Sequence, residues 1–243
     1  MQPILFIIGA QRSGSTSLAT VFEANGAFVL GTRPPESRLL LCSEDPGRQL
    51  RRIADEADAT TSGTLIVEKS TTYMEKPEAA YAASRVAYAE AIAILRNPVS
   101  RAISNYWFTR INGIEKLPIE AAFEADSLHR EWDEAKFSTS PFAYLQRSAY
   151  STLLEPWIDA LGPRLRILIL EELVESPESP SALTLRNLGP DPGLLSIPRR
   201  NSSSGHPPPS GELRSRLSLQ LLQEVQWVEQ FLQRPMMTWR NAS

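Results

Sequence analysis

The chain has 243 residues, 42% hydrophobic and 22% charged, with a formal net charge of −3. That is enough for one large α/β domain with a real core, and it excludes the broad positive field that draws nucleic acid or acidic membranes, though not a local basic pocket. Cys42 is the single cysteine, so an intrachain disulfide is excluded, a reducing cytoplasmic setting is expected, and no cysteine–histidine cluster offers a structural zinc site. The N-terminal apolar run is too short for a signal peptide or membrane span, and no later stretch approaches ~20 apolar residues, so a soluble protein without a membrane partner is expected.

Ile4 to Ile8 is a continuous apolar run, the mark of a strand covered on both faces. It leads into Gly9-Ala10-Gln11-Arg12-Ser13-Gly14-Ser15-Thr16-Ser17, and a helical pattern follows over Ser15 to Asn25. A strand, a glycine-hinged turn and a helix start form an anion site, because the glycines let the backbone wrap a ligand and the first helical amides point at it. The loop nearly matches G-x-x-x-x-G-K-[ST], the phosphate loop of many ATPases. Gly9, Gly14 and Thr16 are in place, Ser15 stands where the lysine would be, and the cation is Arg12 inside the loop. A phosphate-like group is expected there, held differently from ATP in an ATPase.

Three further apolar runs read as strands: Thr64 to Glu68, Ala91 to Leu95 and Leu165 to Leu170. Helical patterns fall between them at Gln49 to Ala59, Glu78 to Ala89, Val99 to Thr109 and Ser148 to Leu161. The alternation predicts α/β architecture: a single-domain open parallel sheet flanked by helices, entered by a P-loop-like strand–loop–helix. Glu115 to Lys136 is acidic and helical in pattern, a solvated insertion or a lid over the acceptor within residues 115–140. Pro198 to Gly211, rich in Pro, Ser and Gly, is expected to be loop. Glu212 to Gln233 is expected to be helix, with Leu213, Leu217, Leu221 and Val225 on one face. His129 and His206 read as surface residues; Trp107, Phe108 and Trp157 read as core.

Ligands of open α/β sheets bind beyond the carboxyl ends of the strands. Here those ends carry Arg12, then Glu68-Lys69-Ser70-Thr71, then Arg96-Asn97-Pro98. Three cations at one sheet edge beside a phosphate-type loop suit a ligand with more than one anionic group. Pro98 fits a first helical turn, and Ser104 lies two turns on, on the Arg96 side. An arginine fork with a serine hydroxyl suits a phosphate monoester. A surface salt bridge for Arg96 and a helix-surface hydroxyl for Ser104 are the plainer alternatives.

The ordered set resembles the sulfotransferases that use 3′-phosphoadenosine 5′-phosphosulfate (PAPS). Gly9 through Leu18 resembles their 5′-phosphosulfate loop, Arg96 through Ser104 their 3′-phosphate motif, and Glu68-Lys69-Ser70-Thr71-Thr72-Tyr73 the E-K-[ST]-P-x-Y segment of the carbohydrate (heparan-type) branch. Arg147-Ser148-Ala149-Tyr150 and Ile167 to Leu173 resemble later landmarks. The resemblance implies donor binding by Arg12, Ser13, Gly14, Ser15, Thr16, Ser17, Arg96, Ser104 and Tyr150, the last with a packing role as alternative. Ser204 and Gly205 come from Arg199 to Gly205, a loose match to the family's basic loop. It implies catalysis by Arg12 and Lys69 at the leaving oxygen and by Glu36 as base, with an ordinary loop carboxylate as the other reading of Glu36. The chain departs from the pattern in having Thr71 for proline, Arg12 where many members carry lysine, and Arg38 for a histidine after the base. The implied reaction moves a sulfuryl group to a hydroxyl of a small-molecule natural product or saccharide, without a metal, releasing adenosine 3′,5′-bisphosphate. Two rivals remain. A Walker-type kinase would need an acidic Mg²⁺ ligand, for which Glu68 is the one acid well placed at the first three strand ends. A non-catalytic nucleotide-binding domain is the other.

Overall fold

A computed structural model describes residues 2–32, 36–57, 64–125, 130–133, 137, 139–189 and 206–240. Strand β1 (Ile4–Gly9) runs into helix α1 (Ser15–Ala24), followed by β2 (Phe28–Leu30), α2 (Leu39–Cys42) and α3 (Pro46–Glu56). Next come β3 (Ile66–Lys69), α4 (Pro77–Ser84), β4 (Ala89–Leu95), α5 (Pro98–Ile111) and α6 (Ile119–Glu124). Then follow α7 (Tyr150–Leu161), β5 (Leu165–Ile169), α8 (Leu170–Glu175) and α9 (Pro180–Arg186). Helices α10 (Gly211–Gln220), α11 (Leu222–Leu232) and α12 (Met237–Arg240) complete the described chain.

Helix starts are written in the sequence. Asp45, Asn97 and Ser179 each accept an amide hydrogen bond (from Arg48, Ser100 and Ala182) just ahead of Pro46, Pro98 and Pro180. The side-chain oxygen satisfies an orphan N–H, and proline's fixed φ suits the first turn, where it has no hydrogen bond to lose.

The five strands are parallel, in the order β2-β3-β1-β4-β5. The order turns about β1, so the carboxyl end of β1 lies at the point where such sheets take ligands. Register puts Ile7 opposite Lys69 and Gly9 opposite Ala93, which brings the ends of β3 and β4 level with the loop after β1.

The chain divides into two compact units, Met1–Leu95 with Leu154–Pro198, and Arg96–Leu153 with Arg199–Ser243. The first holds the sheet and a core that includes Leu5, Ile7, Leu18, Phe22, Val67, Ile92, Ile94 and Leu168. Each such side chain contributes roughly 1.5–3 kcal/mol when fully buried. In the second unit Val99 and Ile103 of α5 pack on Leu213, Leu217 and Leu221, while Ala102 and Tyr106 pack on Ala122, Phe142 and Tyr144.

All four expected strands are present. The added strand, β2, is three half-buried residues at the sheet edge, too short to leave an apolar run. Glu115 to Lys136 is not one helix: among its described residues only Ile119–Glu124 is helical, ending where Ala125 turns to extended backbone. Nor is Glu115 solvated, since it is 1% exposed. The expected helix from Glu212 to Gln233 is two, α10 and α11, divided where Leu221 leaves helical geometry (φ −102°). Trp157 is buried as expected, but Phe108 is exposed at 36%. Residues 198–205 of the Pro-rich segment, and His129, lie outside the described residues. Among the described residues no helix is long and apolar enough to cross a membrane.

Candidate functional site

In the first unit, the loop after β1 is built by backbone. The Ala10 amide donates to the Ile94 carbonyl (2.8 Å) and the Ser13 amide to the Ala10 carbonyl (3.2 Å), closing a tight turn. Gly14 caps α1 at φ 88°, a left-handed conformation that calls for glycine, and a Cβ there would also press on Leu170 Cδ1 at 2.9 Å. Arg12 takes φ 70°, a left-handed geometry uncommon for a residue with a Cβ and typical of ligand loops. Ser15 and Ser17 are buried in the first turn of α1, and Thr16 is exposed. The Ser13 hydroxyl is buried with no hydrogen-bond partner. A buried donor without an acceptor is costly, and an oxyanion in this loop would satisfy it, so the residues present fit a phosphosulfate group.

At the end of β3, Lys69 Nζ lies 2.6 Å from Glu36 Oε1, with side chains 8% and 17% exposed. Lys69 also donates to the Gly31 carbonyl (3.3 Å). Glu36 Oε2 accepts from Ser70 Oγ and the Thr71 amide, both at 3.0 Å, and Thr71 Oγ1 lies 3.2 Å from Oε1. Two sequence-selected residues 33 positions apart are thus in contact. One cation and three donors thus surround this carboxylate. Thr71, the departure from the family's proline, supplies an amide that proline lacks.

Glu68 faces inward. Its Oε1 accepts from Ser37 Oγ, from the Leu39 amide (3.1 Å) and from the Tyr73 hydroxyl (2.6 Å); that hydroxyl in turn accepts from the Leu40 amide (3.1 Å). Burial pushes the Glu68 carboxyl above the ordinary range, against the hydrogen bonds from Ser37, Tyr73 and Leu39. The acid a kinase would need is therefore a brace on residues 37–40, the segment that follows Glu36. Sequence reasoning missed this role of Glu68, Ser37 and Tyr73; the adjacency of Glu68 to Lys69 was the available signal.

In the second unit, Arg96 follows directly on β4, and Asn97 caps α5. Ser104 is 2% exposed on that helix. Tyr150 is fully buried, and its hydroxyl donates to the Arg96 carbonyl (2.7 Å). His206 is half-buried and stacks on Trp107 (centroids 4.7 Å apart, 15° between planes) instead of lying free on the surface. Ser204 and Gly205 lie outside the described residues. Among the described residues no cluster of three or more His, Cys, Asp or Glu could hold a metal ion.

No family model matches the chain. A sulfotransferase from Alicyclobacillus acidocaldarius, solved by crystallography, superposes with a TM-score of 0.72 at 18% identity, covering 99% of each chain. The chain has the sulfotransferase fold. In sequence it is 35% identical over 111 residues, 45% of its length, to bifunctional heparan sulfate N-deacetylase/N-sulfotransferase 1 of Caenorhabditis elegans. It is 28% identical over 185 residues, 72% of its length, to the protein of the same name from Caenorhabditis briggsae. The matches span 13% and 21% of those relatives' own lengths. The chain is thus similar to sulfotransferases in fold and, over part of its length, in sequence.

Proposed function

We propose that the protein transfers a sulfuryl group from PAPS to a hydroxyl of a small molecule or saccharide, releasing adenosine 3′,5′-bisphosphate. The Lys69–Glu36 contact at 2.6 Å, at the strand edge that carries the phosphosulfate-type loop, is the observation that carries this reading. A cation and a carboxylate held together can serve the two ends of one transfer. Glu36 takes the acceptor's proton as the acceptor oxygen bonds to sulfur. The bond from sulfur to the bridging oxygen breaks, and its electron pair stays on the 5′-phosphate. Lys69, Arg12 and the amides of Ser13 to Ser17 stabilise that developing charge. Arg12 serves as a fixed charge, since arginine does not give up its proton; Lys69 is the group able to protonate the leaving oxygen. Arg96 and Ser104 take the 3′-phosphate.

The sequence relatives are named as heparan sulfate N-deacetylase/N-sulfotransferases, which favours a saccharide among the acceptors. A net charge of −3 argues against a long sulfated polymer, whose groove would need many cations.

Calorimetric titration with adenosine 3′,5′-bisphosphate, with and without Mg²⁺ and beside 5′-AMP and ATP, tests the donor class. Micromolar, metal-independent binding that 5′-AMP does not match is the expected result. Mg²⁺-dependent binding of ATP with none of the bisphosphate would overturn it in favour of a kinase.

A further inference from the structure

We infer that Tyr150, Ser148 and the Trp239 carbonyl are positioning groups that fix the Arg96–Asn97 backbone so that Arg96 is held ready for the nucleotide's 3′-phosphate. The inference rests on the sulfotransferase reading above and deepens it. All the residues involved belong to the second unit.

Three hydrogen bonds from remote segments converge on three consecutive residues. The Tyr150 hydroxyl donates to the Arg96 carbonyl at 2.7 Å, Asn97 Nδ2 donates to the Trp239 carbonyl at 3.1 Å, and Ser148 Oγ donates to the Pro98 carbonyl at 3.0 Å. The partners are 54, 142 and 50 positions away in sequence. Asn97 uses its other side-chain atom, Oδ1, to accept the Ser100 amide at 2.9 Å, so one side chain both starts α5 and ties it to α12. Behind Ser148 stands Arg101, fully buried, whose Nε donates to Ser148 Oγ at 2.6 Å and whose other guanidinium N–H reaches the Tyr144 carbonyl. Tyr150 and Trp239 also pack ring to ring, with centroids 6.4 Å apart.

A helix start needs only its cap and first-turn proline, and Asn97 with Pro98 already supplies both. The added contacts hold the peptide from which the Arg96 side chain springs. Bidentate recognition of a phosphate by a guanidinium depends on geometry, and a backbone fixed in advance lowers the ordering cost of binding. Tyr150 thereby acts through Arg96, with its ring and hydroxyl both buried.

The test uses Tyr150→Phe, which keeps the ring and removes the donor, and Asn97→Ser, which keeps a capping oxygen and removes the contact with Trp239. Each is titrated calorimetrically with adenosine 3′,5′-bisphosphate and with 5′-AMP, at a temperature where circular dichroism shows it folded. The expected result is about three- to tenfold weaker binding of the bisphosphate, the range for one lost neutral hydrogen bond, with 5′-AMP binding unchanged. Equal weakening of both nucleotides, or no change in either, would overturn the positioning role, because a purely structural defect does not single out the 3′-phosphate. If the wild-type protein itself failed to distinguish the bisphosphate from 5′-AMP, the donor reading would fall first and this inference with it. Two variants on different elements keep the question answerable if one does not fold.

Discussion

The two residues to which the proposed function gives the proton transfers, Lys69 and Glu36, lie 33 positions apart and meet at 2.6 Å. Lys69→Ala should lower turnover of PAPS by about 10²- to 10³-fold, the range for removing one preorganised transition-state contact. It should leave binding of adenosine 3′,5′-bisphosphate measurable by calorimetry. Loss of binding in parallel with turnover would mean that Lys69 holds the ground state instead. Tyr73→Phe removes the donor to Glu68 and the acceptor for the Leu40 amide together. A loss of about 1–3 kcal/mol in urea unfolding is expected, since both former partners stay buried. Hydrogen exchange at the Leu40 amide should speed up by more than at α1. Lys69 was legible from its place after an apolar run. Glu68 was read only as the acid best placed for a rival kinase's Mg²⁺ and is a buried brace, because a carboxylate's inward or outward direction depends on the segment it meets.

At the scale of elements, the β1–loop–α1 unit is locally determined, and its weak point is Gly14. Gly14→Ala places a Cβ in a left-handed backbone at φ 88° and 2.9 Å from Leu170 Cδ1. It should cost roughly 1–2 kcal/mol from the backbone alone and abolish bisphosphate binding; wild-type affinity in a folded variant would refute the loop's role. The acidic stretch from Glu115 behaves in the opposite way. Glu115 is ion-paired to Arg130 at 2.7 Å and accepts from the Tyr144 hydroxyl, also at 2.7 Å, and from the Leu117 amide at 2.9 Å. Burial alone would raise its carboxyl, yet the hydrogen bonds from Arg130, Leu117 and Tyr144 bring it from 4.5 down to about 2. A folded pKa below the unfolded one gives stability that is complete above the unfolded value and lost as pH falls through the folded value. About 3 kcal/mol should therefore disappear between roughly pH 4.5 and pH 2. Thermal melts across that window should show a steeper fall for wild type than for Glu115→Gln; parallel curves would remove this pair from the account. The sequence marked the stretch as charged and solvated because a charge run carries no record of a partner such as Tyr144, 29 positions away.

For the whole molecule, a ligand that binds only the folded state must stabilise it. Adenosine 3′,5′-bisphosphate at a hundred times its dissociation constant should add about 2.7 kcal/mol, visible as a rise in melting temperature that 5′-AMP at the same concentration does not match. An unmoved melting temperature would contradict the proposed donor. The sequence by itself determined the parallel α/β sheet, the glycine-hinged loop that carries Arg12, the cap-and-proline helix starts and the cations at the carboxyl ends of β3 and β4. These are local: apolar runs, glycine and proline chemistry and strand ends act within a few residues. Tertiary structure alone decided that Glu36 meets Lys69, that Glu68 and Tyr73 pin the segment after Glu36, and that Tyr150, Ser148 and Trp239 converge on the start of α5. Those contacts join positions 5 to 142 residues apart, most of them more than 30. No local pattern encodes them, because each exists only once separate elements have packed and left particular donors facing particular carbonyls.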